Sequence, residues 1–264
     1  MDSVNKTLYI PLYGKALVSR KGILLRDAKA EDIWEKEGFP LKGKSKSKWL
    51  AYYMSMRATV FDRWVEEQQK QFPDAAVLHL GCGLDNRIGR VKRGTNMWYD
   101  VDFPEVIGQR QIYFSETENY KMLGADVRQD KWLEEVTADS AIVVMEGISM
   151  YLQPEELKKL LEALHRRFST VTVLMDCYTT LAAKASKYKN PINDVGVTKV
   201  YGLDDPRVLE CTGFRYVKEM DMTPENMISQ LSRMEQGVFR KLYAGKMARK
   251  LYQMYEFAGG EVHR

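Results

Sequence analysis

The stretch Ala76-Val77-Leu78-His79-Leu80-Gly81-Cys82-Gly83-Leu84-Asp85-Asn86-Arg87 decides the fold, because in it a short apolar run ends in two glycines. A run of this length favours a buried strand. Glycine is needed where the backbone turns tightly or lies close to a ligand. Ligands of an open α/β sheet bind beyond the carboxyl ends of the strands, so this turn marks the expected binding site.

Further apolar runs follow, separated by stretches that favour helices, which is the pattern of parallel strands with crossover helices. The start of one of these helices can be predicted, because Pro154 stands near its first turn and Glu155 and Glu156 lie at its positive end. The predicted strands are residues 77–80, 97–101, 121–125, 141–145, 171–175, 215–220 and 252–257. The sequence therefore predicts an α/β fold.

Helices are expected before and after these strands. Residues 48–71 carry apolar side chains at three- and four-residue spacing, which predicts a helix with one apolar face. The lysine-rich segment 42–48 before it is expected to be a solvated loop. Near the end, Thr223 is the predicted N-cap and Pro224 the first residue of a helix that continues to Met247.

Composition limits the functional classes. The chain has 264 residues, 40 of them basic and 36 acidic, and its net charge of +4 is too small to indicate a nucleic-acid-binding protein. Three scattered cysteines argue against a disulfide framework. No long apolar run and no signal-peptide pattern is present, so we expect a cytoplasmic protein without a membrane partner.

Acidic residues indicate the kind of ligand. Asp100 and Asp102 end the second predicted strand, about 20 residues past the glycines, where a carboxylate can accept hydrogen bonds from a ribose diol. Asn86 stands where a dinucleotide fingerprint requires a third glycine, and no phosphate-binding loop motif occurs. A nucleoside ligand without a pyrophosphate, such as S-adenosylmethionine, fits this pattern better than NAD or ATP.

Six motifs occur in order along the chain: LLRDAKA (24–30), MRATVFD (56–62), LGCGLDNR (80–87), YDVDFPEV (99–106), GADVR (124–128) and MEGISMYL (145–152). Together they resemble the leucine carboxyl methyltransferase family, and in particular its bacterial branch of polyketide-type small-molecule O-methyltransferases. The resemblance implies a class I, Rossmann-like sheet, mostly parallel, of seven strands with an antiparallel last strand. It also implies N-terminal helices, a helical insertion before the last strand, and S-adenosylmethionine as the cofactor.

The resemblance also implies a cofactor-binding role for several residues. Asp102 matches the ligand of the ribose diol, and Asp126, with the Val127 backbone, matches the adenine site. The methionine portion of the cofactor is assigned to Gly81, and its carboxylate and amino group to Arg57, Lys15 and Glu146. Asp100 is expected to be structural or exposed, Cys82 a buried filler, His165 exposed or half-buried, and no metal site is expected.

The methyl acceptor is expected to be a small molecule. A carboxylate acceptor would need no general base, whereas a hydroxyl acceptor would need one. Glu146 and Tyr151 are the catalytic candidates and Tyr178 is a weaker one. Residues after the fourth and fifth strands, together with the methionine-rich segment 221–247, are expected to shape the acceptor pocket.

Several alternatives stay open at this point. The acceptor could be the terminal carboxylate of a protein, or the chain could be an NAD-dependent oxidoreductase, an RNA methyltransferase or a cofactor-binding protein without catalysis. We expect one domain, 1–264, with a helical cap (1–72), a cofactor-binding core (73–220), a helical lid (221–250) and a last strand with its tail (251–264). Both a monomer and a homodimer agree with the sequence.

Overall fold

A seven-stranded sheet forms the centre of the molecule in a computed structural model that describes residues 5–91, 94–189 and 199–260. The strand order is β3-β2-β1-β4-β5-β7-β6. The strands are β1 (Ala76–Leu80), β2 (Trp98–Asp102), β3 (Tyr120–Gly124), β4 (Ser140–Met145), β5 (Thr170–Tyr178), β6 (Phe214–Glu219) and β7 (Tyr252–Gly260). All seven predicted strands are thus confirmed, and none of their ends is shifted by more than three residues.

Helices cover both faces of this sheet. They are α1 (Tyr9–Lys21), α2 (Ala28–Glu37), α3 (Lys48–Gln71), α4 (Arg87–Arg90), α5 (Pro104–Arg110), α6 (Pro154–Arg167), α7 (Thr180–Lys189), α8 (Glu225–Ile228), α9 (Arg233–Leu242) and α10 (Lys246–Arg249). The predicted start of α6 is confirmed, because Gln153 is its N-cap and forms a capping box with Glu156.

The direction of the strands places the site. Strands β1 to β5 are parallel neighbours, and β7 pairs antiparallel with both β5 and β6. The strand order reverses between β1 and β4, and the carboxyl ends of these strands open a crevice at that point. The predicted mostly parallel sheet with an antiparallel last strand is confirmed.

Helix α3 has its predicted bounds, but the prediction of a single apolar face is wrong. Met56, Phe61 and Trp64 are buried, and so are polar residues on other sides of the helix, including Arg57 and Thr59. Its fully exposed residues are confined to its two ends and to Arg63 and Glu67, since α1, the sheet and the C-terminal helices surround it. A periodicity argument sees only apolar side chains and therefore missed the buried polar ones.

The predicted helix from Thr223 to Met247 is also wrong. The chain forms three short helices there, and Pro224, not Thr223, precedes the first helical residue. Ser232 and Glu235 form a capping box that begins α9 as a separate helix. Met227 is buried, whereas Met234 is 86% exposed, so the methionines of this segment do not share one packed face.

One further prediction concerns the lysine-rich loop before α3. The lysines of segment 42–48 are exposed as predicted, although Gly43–Lys46 forms a short 3-10 helix that buries Ser45. Beyond α7, residues 190–198 lie outside the described ranges. Among the residues that the structure describes, none of the helices combines the length and apolar character that a bilayer-spanning segment needs.

Candidate functional site

A cavity of about 290 Å³ opens at the carboxyl ends of β1, β2 and β4, where the topology places a ligand site. Loops after these strands form one wall, and α1 and α3 form the other. The structure brings all the sequence-predicted site residues to this cavity: Lys15, Arg57, Gly81, Asp102, Asp126, Val127, Glu146 and Tyr151.

The glycine turn after β1 shapes the floor of the cavity. Gly81 has a φ of +67°, and a Cβ at this position would lie 2.8 Å from Ile148 Cγ2. Gly83 has a φ of +52°. Both positions therefore require glycine for backbone conformation, and Gly81 also lets the segment after β4 pack closely against the turn.

Asp102, the last residue of β2, presents its carboxylate to the cavity. Its Oδ2 accepts a hydrogen bond of 2.8 Å from the Gly83 amide, and its Oδ1 accepts one of 2.8 Å from the Phe103 amide. Burial raises the pKa of Asp102 to about 6, although these two amides partly oppose the rise. Each oxygen keeps lone pairs for further donors, as a bound ribose diol requires.

Asp100 points away from the cavity and is fully buried, so of the two roles expected for it the structural one is correct. Arg110 and Tyr120 donate to Oδ2, and the Trp98 indole donates to Oδ1. Burial alone would raise the pKa of Asp100, but Arg110 and the hydrogen bonds outweigh it and lower the pKa to about 2. This carboxylate stabilises β2 and α5, and of the two acids only Asp102 lines the cavity.

Asp126 and Val127 lie at the end of the cavity that follows β3. Both oxygens of Asp126 accept hydrogen bonds from Arg128, at 2.6 to 2.9 Å. The bond to Arg128 lowers the pKa of Asp126, so it is a carboxylate at neutral pH. Asp126 is thus able to accept from an amino group at the cavity rim.

Buried charges line the opposite end. Glu146, after β4, accepts hydrogen bonds from Arg57 Nε and Nη2 at 3.1 and 2.8 Å and also from Arg87. Burial would raise the pKa of Glu146, but these two guanidinium groups hold it at about 2. Lys15 Nζ lies 3.4 Å from Asp85 Oδ2. A charged amino-acid group would meet fixed charges of both signs here.

Arg57 is held from three sides. Besides Glu146, its Nη1 lies 2.8 Å from Asp176 Oδ2 and donates to the Tyr252 hydroxyl, which in turn donates to Asp176. Nε, Nη1 and Nη2 all donate hydrogen bonds to Glu146 or Tyr252, and Nη1 also forms the ion pair with Asp176. The side chain is therefore held in one position at the wall of the cavity.

Sequence reasoning missed Arg87, Asp176 and Tyr252. Asp176 is an acid within the buried strand β5, which is itself a signal, because buried carboxylates need partners. Arg87 stands next to the glycine turn in a quoted motif and links Asp85 to Glu146. Tyr252 carries no signal in the sequence, since its role depends on β7 entering the sheet beside β5.

The remaining predictions concern two single residues, the methionine-rich segment and metal binding. Cys82 is buried and His165 is half-buried beside Phe214, as predicted. Segment 221–247 contributes nothing to the lining of this cavity. Within the described ranges, no group of three or more His, Cys, Asp or Glu side chains is arranged to hold a metal ion.

A family model for leucine carboxyl methyltransferase matches residues 3–165, more than half of the chain. The chain belongs to the leucine carboxyl methyltransferase family. Members of this family are S-adenosylmethionine-dependent methyltransferases, and this family member is such an enzyme. The resemblance drawn from the six sequence motifs is thereby confirmed.

Two curated relatives are similar over much of their length. The tetracenomycin polyketide synthesis O-methyltransferase TcmP of Streptomyces glaucescens is 30% identical over 243 residues, which cover 90% of each chain. The S-adenosyl-L-methionine-dependent methyltransferase dpfgK of Gibberella zeae is 29% identical over 195 residues, covering 67% of this chain and 65% of that protein.

Solved structures support the fold of this family member. Human N-acetylserotonin methyltransferase in complex with S-adenosylmethionine aligns with a TM-score of 0.50 at 14% identity, covering 95% of this chain and 67% of that one. Magnesium protoporphyrin IX methyltransferase from Synechocystis PCC 6803, with bound S-adenosylhomocysteine, aligns with a TM-score of 0.50 at 11% identity, covering 94% and 100%. At these identities the likeness shows the Rossmann-like fold alone.

Proposed function

We propose that this chain transfers a methyl group from S-adenosylmethionine to a carboxylate or hydroxyl oxygen of a small molecule, of the polyketide-like or related secondary-metabolite class. One observation carries the proposal: a single cavity joins a diol acceptor, an acid at the adenine end and a buried charge cluster to a group of tyrosines. The relative TcmP, an O-methyltransferase of polyketide synthesis, supports the acceptor class.

The residues fit the cofactor along its length. Asp102 would accept from both ribose hydroxyls, and Asp126 would accept from the adenine amino group beside the Val127 backbone. Gly81 would lie under the methionine portion. When bound, the cofactor supplies an electrophilic methyl group on a sulfonium.

At the other end, charges match the amino-acid tail. A cofactor carboxylate would be a third anion beside Arg57, and Lys15 supplies a second buried cation for it. Glu146 would accept from the cofactor amino group. Since two guanidinium groups hold the pKa of Glu146 at about 2, it is a weak base, and we assign it to binding more than to proton removal.

Tyrosines lie where the acceptor would approach. Tyr151, Tyr178 and Tyr252 line the same cavity, and burial raises the pKa of Tyr151 and Tyr252, so that both hydroxyls stay protonated at neutral pH. They would orient the acceptor oxygen toward the methyl group and exclude water. Positioning of this kind supplies much of the rate enhancement when the nucleophile is a carboxylate, which needs no base.

The experiment uses methyl-labelled S-adenosylmethionine with 3-hydroxy-2-naphthoic acid and larger hydroxylated aryl carboxylic acids. We expect enzyme-dependent labelling, and mild alkali releases the label from a methyl ester but leaves it on a methyl ether. Tyr151→Phe should lower turnover while adenosylhomocysteine affinity stays the same. Labelling of C-terminal peptides with no labelling of any small acid would contradict the proposal and favour a protein acceptor.

We also propose a role for each segment of the chain and a location in the cell. The front helices supply Lys15 and Arg57, the core from residue 73 supplies the rest of the cofactor site, and 221–250 acts as a lid within one domain. All three cysteines are unpaired thiols, which suits a reducing cytoplasm. The acceptor is the only partner proposed, with no nucleic acid and no membrane.

A further inference from the structure

A second cavity, of about 190 Å³, lies beside the cofactor cavity between α3, the start of β7 and the segment after β6. Aromatic rings and thioethers form about half of its lining: Tyr53, Met220, Met222, Tyr243 and Tyr252. The other lining residues are polar or charged: Glu219, Asp221, Thr223, Arg249 and Gln253, with Arg249 paired to Asp221 at 3.1 Å. Segment 221–250 thus contributes to this second cavity.

Tyr252 is the wall that the two cavities share. Its hydroxyl is fixed between Arg57 and Asp176, so the ring has one orientation. On one side the Tyr178 ring, which also lines the cofactor cavity, meets it edge-on at 4.8 Å between centroids. On the other side the Tyr53 ring lies 6.1 Å away. The two cavities therefore adjoin each other at the Tyr252 ring.

Rings continue beyond Tyr252 into the second cavity. Tyr243 lies 5.4 Å from Tyr53 and is stacked on Phe239 at 5.4 Å with an interplanar angle of 17°. The Tyr53 hydroxyl contacts the Met222 sulfur at 3.9 Å. Rigid aromatic faces next to polarisable thioethers suit a flat π-system, because ring pairs and sulfur–ring contacts both gain energy at such separations.

We propose that the second cavity is an acceptor subsite that holds the ring system of a planar aromatic molecule, with the reacting oxygen beyond Tyr252 in the cofactor cavity. The inference rests on the proposed methyltransferase function and adds the chemical class of the acceptor and the residues that select it. Met220, Met222 and Tyr243 are specificity-determining residues in this account, and Tyr252 sets the distance between the rings and the cofactor cavity.

The test measures binding of 3-hydroxy-2-naphthoate, a fluorescent two-ring acid, to the enzyme saturated with adenosylhomocysteine. Met220→Trp fills the second cavity, and Met234→Trp places the same ring on the exposed face of α9 as a matched control. We expect Met220→Trp to weaken naphthoate binding at least about tenfold and Met234→Trp to leave it within about twofold. Adenosylhomocysteine affinity should be the same in all three proteins.

A second measurement uses the wild-type protein and so does not depend on whether a variant folds. In wild-type protein with 13C-methyl methionine, naphthoate should shift the Met220 and Met222 methyl signals by ring currents and leave Met234 unshifted. Equal naphthoate affinity of Met220→Trp and Met234→Trp, or methyl shifts absent from both Met220 and Met222, would overturn the subsite. Failure of the underlying function is seen separately, as loss of adenosylhomocysteine binding by the wild-type enzyme.

Discussion

Replacing Asp102 with alanine removes the proposed diol ligand. The carboxylate would accept two charge-assisted hydrogen bonds from the ribose hydroxyls, and each would contribute about 1.5–3 kcal/mol to binding. Their loss amounts to about 3–6 kcal/mol, so the dissociation constant of adenosylhomocysteine should rise at least about 100-fold. Isothermal titration calorimetry at pH 7.5 measures this change directly.

Asp102→Ala should change the free energy of unfolding by less than it changes the free energy of cofactor binding. The amides of Gly83 and Phe103 lose their acceptor, at a cost of about 1–3 kcal/mol each, but a buried carboxylate with a raised pKa is removed as well. Glu105→Ala, an exposed acid three residues along, is the matched control and should bind within about twofold of wild type. A folded Asp102→Ala protein with wild-type affinity would refute the placement of the ribose.

Three further changes test the pH dependence, the glycine turn and the core. With the pKa of Asp102 at about 6 in the ligand-free protein, the carboxylate is lost as pH falls, so adenosylhomocysteine affinity should fall up to about tenfold from pH 7 to 5, and a flat profile would contradict this. Gly81→Ala should lower the free energy of unfolding in urea by about 2–4 kcal/mol, and the same change should cost less in a protein that already carries Ile148→Ala, because the new Cβ would lie 2.8 Å from Ile148. Phe61→Ala should cost about 3–5 kcal/mol in the same assay, since the ring is fully buried, and a loss below about 1 kcal/mol would contradict that packing.

Local signals made much of the fold and site predictable. Short apolar runs located every strand, and the glycine turn with Asp102 at the end of β2 located the cavity. These signals survive in one sequence because a strand and the turn after it are adjacent in the chain. The separate start of α9 was also readable, since Ser232 and Glu235 have capping-box spacing.

Non-local contacts account for what the sequence did not reveal. Arg57 is fixed by Asp176 and Tyr252, and the latter is 195 residues away in the chain. Only the insertion of β7 beside β5 brings these groups together. The burial of α3 on most sides has the same origin, because elements from both ends of the chain pack against it.

The most direct test of the account is a crystal structure of the enzyme with adenosylhomocysteine. The account predicts both ribose hydroxyls within hydrogen-bonding distance of Asp102, the adenine amino group at Asp126 and the sulfur facing Tyr151 and Tyr252. A ligand bound outside this cavity, or turned so that its amino-acid tail lies at Asp126 and its adenine at Arg57, would contradict the proposed site.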